Sequence, residues 1–202
     1  MSEDLCQGII LRIYHYSDTS LIVHALTDHL GLISFIAKGA KRLKSPFAGK
    51  LDLFYHCQFE LILSKRTDLH TLKEVQLVDS HPLITQNYDL LCAATECAKT
   101  IEKVLERDAS VPELFNLFCD YLKYIPSHLS LELGNIIFNI RLLALLGNFP
   151  QFTQMHLSRE VTQLVLEILN KNWNMLLEEV PQEKDLQFLN IVSQREITRY
   201  LQ

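Results

Sequence analysis

Near Pro82 the hydrophobic period of this 202-residue chain changes from two to that of a helix, and this switch restricts the fold more than any other feature. Before it, five apolar or alternating stretches follow one another with turn signals between them. "CQGIILRIYHY" is apolar and β-branched and ends at the turn "SDTS"; "LIVHALTD" ends at "HLG". In "LISFIAKG", Leu32, Ser34 and Ile36 fall on one face and Ile33, Phe35 and Ala37 on the other. "LDLFYHCQFELILSK" is long enough to run through two sheets if it bends. "RTDLH" turns it, and "TLKEVQLVDSH" alternates Leu72, Glu74, Gln76 and Val78 against Lys73, Val75 and Leu77. Five strands joined by short turns, with no helix between them, predict a small barrel rather than a βαβ sheet. A five-stranded OB-type barrel fits the strand number, and an SH3-like barrel fits the pattern almost as well.

After Pro82 the pattern is helical. "YDLLCAATECAKTIEKVLER" lines up Leu91, Ala94, Cys97 or Ala98, Ile101, Val104 and Leu105. "VPELFNLFCDYLKYI" has Ser110 as N-cap, Pro112 in the first turn and Glu113 three residues after the cap, and Pro126 stops it. "SLELGNIIFNIRLLALLG" is apolar on most sides and reads as the central buried helix, ending at Gly147. "SREVTQLVLEILNKNW", capped by Ser158, and "EKDLQFLNIVSQREITRYLQ" complete the series. The expected fold class is α+β multidomain, with a five-stranded barrel over residues 1–80 and an α-helical domain over 81–202. No apolar run approaches the roughly 18 residues of a membrane span. The longest, "IIFNIRLLALLG", is interrupted by Asn139 and Arg141, and the acidic start "MSEDLCQG" lacks the features of a secretion signal, so a cytoplasmic protein is expected.

Charge is unevenly distributed. The net charge is −5, yet residues 1–80 hold nine Lys/Arg and nine Asp/Glu, while residues 81–202 hold ten against fifteen. Within the neutral part, "AKGAKRLKSPFAGK" (37–50) collects Lys38, Lys41, Arg42, Lys44 and Lys50 without a single acid. Such a loop could simply keep an edge strand in solution. It could also bind nucleic acid, because unopposed cations add their fields, Gly39 and Gly49 let the backbone bend, and barrels grip single strands with cationic grooves and exposed aromatics. Tyr14, Tyr16, Phe35, Phe47 and Tyr55 are the aromatic candidates, and most of them could equally be core.

No enzymatic constellation accompanies this loop. The eight histidines (His15, His24, His29, His56, His70, His81, His128 and His156) form no HxxxH, and the five cysteines form no CxxC. There is no GxSxG, no Gly-rich phosphate loop and no HExxH. The expectation is a protein without covalent catalysis, resident metal or cofactor.

The stretch "GIILRIYHYSDTSLIVHALTDHLGLISFIAKGAKRLKSPFAGKLDLF" combines an initial strand, a short acidic turn, T-x-x-x-G before the next strand, "AKGAK" and L-x-x-F. Further on, "LLALLGNFPQF" carries LL-x-x-x-G-x-x-P at the end of the buried helix. In this order and spacing the chain resembles the bacterial RecO recombination mediators. The resemblance implies an OB-fold followed by a helical domain. It also implies binding of single- and double-stranded DNA, annealing of complementary strands, and partnership with RecR and with the single-strand-binding protein, which gives way to RecA at gaps. By position, Lys38, Lys41, Arg42 and Lys44 match the family's basic loop, and Lys50 belongs to the same stretch. Arg141 is the candidate for the wall of a pocket that takes the acidic C-terminal tail of the single-strand-binding protein; the alternative is an internal ion pair with a carboxylate. Many family members continue with a four-cysteine zinc module, but here no cysteine follows Pro150 and the last is Cys119, so no zinc site is expected. The competing reading is a protein-interaction adaptor whose barrel binds a protein and whose basic loop is only solubilising.

Overall fold

The computed structural model describes residues 2–106, 109–127, 130–147, 159–176 and 181–201. Five strands, β1 (Ser2–His15), β2 (Leu21–Thr27), β3 (Leu32–Ala37), β4 (His56–Leu63) and β5 (Leu69–Asp79), form a closed barrel in the order β1-β2-β3-β5-β4. All neighbours are antiparallel except β3 and β5. This is the OB-type arrangement, and it decides between the two barrels that the pattern had left open.

The ring closes because β1 serves as two strands. Its first half, Ser2–Ile9, pairs with β4, and its second half, Gly8–His15, pairs with β2. Where it changes partner the register breaks: Ile10 opposes Ala25 but Arg12 opposes His24, leaving Leu11 as an extra residue. Such a bulge bends a strand and disturbs its alternation, and Ile9, Ile10 and Leu11 are accordingly all buried. Gly8 sits at the crossing, where a Cβ would lie 2.8 Å from the Phe59 ring and 3.1 Å from the Leu26 carbonyl oxygen.

The core contains Ile10, Val23, Ala25, Phe35, Cys57, Phe59 and Leu61. In β3 the inward residues are Ile33, Phe35 and Ala37, in line with the alternation. In β5 the alternation fails. Leu72 and Val75 are both in the core because Leu72 opposes Leu61 while Glu74 opposes Glu60, which leaves Lys73 as the odd residue. Its ammonium reaches Glu60 at 2.7 Å and Glu3 at 3.0 Å. The segment "LDLFY" is not strand either. Phe54 takes a left-handed φ of 61° with its ring fully buried, and its N–H donates to the Ile10 carbonyl at 2.8 Å.

The chain divides into two compact units, one of Met1–Gln86 with Leu105–Phe115 and one of Asn87–Val104 with Asn116–Gln202. Among the described residues the α-helices are α1 (Pro82–Thr85), α2 (Tyr88–Val104), α3 (Pro112–Tyr124), α4 (Leu131–Leu145), α5 (Arg159–Asn170) and α6 (Glu183–Tyr200). As its composition predicts, α4 is the buried one, packed by α2, α5 and α6. Ser130 caps it, its Oγ accepting from the Leu133 N–H at 3.2 Å. The buried stripe of α2 starts at Leu90 rather than Leu91. Among the described residues, no helix is long and apolar enough to cross a membrane.

Candidate nucleic-acid interface

The basic stretch lies in the loop between β3 and β4, residues 38–55. Glycine and small residues make it a chain of tight turns rather than an open loop. The Arg42 N–H donates to the Gly39 carbonyl (3.1 Å), Ser45 to Arg42 (3.0 Å), Ala48 to Ser45 (3.2 Å) and Lys50 to Phe47 (3.1 Å). Gly39 and Gly49 hold φ of 75° and 71°, a left-handed conformation that other residues rarely adopt. Phe47 is buried in the barrel core, and Ala40, Leu51 and Tyr55 pack against the same core. The basic limb of the loop is therefore pinned by Phe47, and its cations are turned to water.

Lys38, Lys41, Arg42 and Lys44 are exposed. Leu43, in their midst, is fully exposed as well. At the root of the loop the Lys41 N–H donates to the Thr19 carbonyl at 3.0 Å and its Nζ to the Ser17 carbonyl at 3.4 Å, tying the cations to the β1–β2 turn. Lys50 differs from the other four. It is half-buried, its Nζ donates to the Val75 carbonyl at 3.3 Å, and its own carbonyl accepts from Cys57 Sγ at 3.4 Å. Lys50 fastens the returning limb of the loop to the barrel.

The loop borders the outer face of β1, β2 and β3, which carries Arg12, Tyr14, Ile22, His24, Ser34 and Ile36. Arg12 Nη1 donates to the Tyr14 hydroxyl at 3.4 Å, and the Tyr14 ring meets His24 edge-on at 5.1 Å. Of the five aromatic candidates, Tyr14 and Tyr16 are exposed, Tyr55 is half-buried, and Phe35 and Phe47 are core. Two tyrosines are thus available to stack on bases. The sequence reading missed Arg12, although its alternation with Tyr14 and Tyr16 in "LRIYHY" marks it as outward-facing. It also passed over Lys65 and Arg66, exposed in the β4–β5 turn. Because β3 and β5 run parallel, that turn lies at the opposite end of the ring from the β3–β4 loop. The remaining face is acidic: Glu60 opposes Glu74 across β4 and β5, and Lys73 is held between Glu60 and Glu3.

In the helical unit, Arg141 is half-buried. Its Nε donates to the Ile168 carbonyl at 2.9 Å, one terminal nitrogen donates to the Lys171 carbonyl, and the guanidinium stacks 4.8 Å above the Trp173 ring. Burial pushes its pKa down, opposed by the charge of Asp120. The internal partner is therefore the C-terminal end of α5, whose last carbonyls lack helical partners, rather than a directly bonded carboxylate. Residues 148–158, where a zinc module would follow Pro150, lie outside the described residues, as does His128. Among the described residues, no group of three or more His, Cys, Asp or Glu is placed to hold a metal ion.

Residues 1–81 match the family model described as recombination protein O N terminal, and residues 85–165 the one described as recombination protein O C terminal. A DNA repair protein RecO from Rhodopirellula baltica is 34% identical over 143 residues, 71% of this chain and 53% of that protein. Those from Bacillus cytotoxicus and Listeria monocytogenes are each 27% identical, over 79% and 78% of this chain and 63% and 61% of theirs. The matches thus span between half and two thirds of these relatives' own length.

Proposed function

This chain belongs to the RecO family, whose curated members here are named for DNA repair, and from that premise we propose that it is a DNA-binding recombination mediator that performs no covalent chemistry and needs no cofactor. The observation that carries this reading is the Phe47-pinned loop, which holds Lys38, Lys41, Arg42 and Lys44 in water beside the exposed Tyr14 and Tyr16. Cations on such a frame neutralise phosphates without reading sequence, and tyrosines stack on any base. Lowering the repulsion between two strands is all that annealing requires, since no covalent bond is made or broken. Single- and double-stranded DNA are the ligands in this reading, and RecR and the single-strand-binding protein are the protein partners. RecA is loaded indirectly, at gaps in nucleoid DNA within the cytoplasm. Arg141 contributes to tail binding only through the terminal nitrogen that holds no carbonyl.

The rival reading, a protein adaptor with a solubilising loop, makes the opposite prediction about salt. Fluorescence anisotropy with labelled single- and double-stranded oligonucleotides separates the two. Four phosphate contacts give a log–log salt slope of about −3 on single strands. A slope near zero, or no binding at low salt, would favour the adaptor.

A further inference from the structure

The helical unit contains a polar cavity of about 410 Å³ among α2, α4 and α6, lined in part by Asp89, Glu96, Glu132, Asn135, Asn139 and Asn190. That volume is in the range of small-ligand sites. Among the described residues lining it there are three carboxylates and no lysine or arginine, and no described cation pairs with any of the three. The amides on its wall are mostly engaged. The Asn135 carboxamide oxygen accepts from the Tyr121 hydroxyl at 2.6 Å, and its nitrogen donates to Glu96 at 3.4 Å. Asn190 donates to Glu132 at 3.4 Å. These bonds fix two of the carboxylates in place.

Asn139 is the exception. It stands in the middle of the most apolar helix, is only 4% exposed, lines the cavity, and its carboxamide has no hydrogen-bond partner among the described residues. Among the described residues the fully buried side-chain polar atoms without a partner are His81 Nδ1 and Trp173 Nε1, so the Asn139 carboxamide meets the water of the cavity it lines, and a leucine there would suit the apolar α4 better. A carboxamide and three carboxylates lining one cavity offer mostly acceptors, which suits a donor that is positively charged and has several N–H groups. A guanidinium has that composition, since it donates in a fixed fork and accepts nothing. Exposed rings and aliphatic groups are close along the chain: Tyr88, 78% exposed, has its side chain hydrogen-bonded with the lining Cys92, and Ile191, 69% exposed, follows the lining Asn190 on α6. A free small cation would leave them bare, whereas the apolar neighbours of a peptide-borne arginine would cover them.

We propose that this cavity receives the side chain of an arginine presented by a partner polypeptide, flanked there by apolar residues. The site is independent of the DNA-binding loop and of Arg141. The test is calorimetric titration of the full chain with a capped Leu-Arg-Leu peptide, its citrulline counterpart, free arginine and magnesium chloride. The arginine peptide is expected to bind at least about tenfold more tightly than the citrulline peptide, because only the charged form pairs with the carboxylates. Glu96→Gln and Glu132→Gln, at exposed positions that leave the fold intact, should each weaken binding about fivefold. Asn139→Leu should reduce binding while leaving the thermal midpoint unchanged or higher. Equal binding of arginine and citrulline peptides, or unchanged affinity in both glutamine variants, would overturn the proposal. Free arginine matching the peptide, or magnesium displacing the peptide at equal concentration, would also overturn it by making this a site for a small cation or a metal.

Discussion

The β3–β4 loop of the barrel unit and the end of α5 in the helical unit each combine cations with an aromatic ring, and they use the combination in opposite ways. In the loop the aromatic is inside and the cations are outside: Phe47 fills the core so that Lys38, Lys41, Arg42 and Lys44 stay in water. At α5 the cation is itself partly inside, with Arg141 bonded to two carbonyls and laid over Trp173. The first arrangement leaves charge available to a ligand, and the second consumes it in holding a helix end. Residue type does not distinguish these roles; the polar atoms already bonded to the side chain do. Lys50 shows the boundary case, since it belongs to the basic stretch by sequence and to the fold by its bond to Val75.

The most damaging way to break this contrast is to remove the ring from the core. Phe47→Ala should cost about 3–5 kcal/mol in denaturant unfolding, as for other buried phenylalanines. If the protein still folds, oligonucleotide affinity should fall although no cation has been removed. Unchanged stability and binding would show that Phe47 does not pin the loop. Arg141→Ala leaves two carbonyls without their donor and an indole without its stacked cation, a loss of about 2–3 kcal/mol. Equilibrium unfolding with oligonucleotide anisotropy on the same sample checks this one, because stability should drop while DNA affinity holds.

Replacing Lys41, Arg42 and Lys44 together by alanine should do the reverse. The salt slope on single strands should flatten by about two units, similarly for all sequences, while stability changes within about 0.5 kcal/mol per site. A folded triple variant with unchanged affinity and slope would return the loop to a solubilising role. The smallest effect concerns His29 in the barrel unit. Desolvation pulls its pKa down, but hydrogen bonds and charge from Asp4 and Asp28 outweigh this and leave it above the usual 6.5. A raised folded pKa means the contribution is fully present below 6.5 and lost as pH rises through the folded value. His29→Ala should therefore flatten the decline in thermal midpoint on the alkaline side of 6.5, and a decline of undiminished steepness in the variant would remove His29 as its source.

Much of this fold was legible because it rests on local periodicity. The five strands, the change of regime at Pro82 and the buried α4 all follow from patterns that a short window contains. What was hidden depends on partners far away in sequence. The parity of β5 fails at Lys73 because of how β4 opposes it, and nothing in "TLKEVQLVDSH" announces that. "LDLFY" has strand composition but folds as loop because Phe54 is drawn into a left-handed turn by its bond to Ile10. For the candidate site, the cations were visible as a cluster, yet the separate duty of Lys50 depends on Val75, 25 residues away. Arg141 stands out in the sequence as a cation in an apolar helix, but the carbonyls it bonds are 27 and 30 residues downstream. Asn139 was noticed only as an interruption of an apolar run; the cavity that gives it meaning needs three helices.

The double service of β1 also governs how the protein can be cut. Among the described residues, its first eight, Ser2 to Ile9, cover one edge of β4, where they pair with Leu63 to His56. Trimming the chain to begin at Gly8 would leave β2's partner in place and bare the edge of β4, with its run "FELIL". An uncovered apolar edge is a template for strands of other molecules, so such a fragment would be prone to self-association through added strands before it lost its remaining sheet.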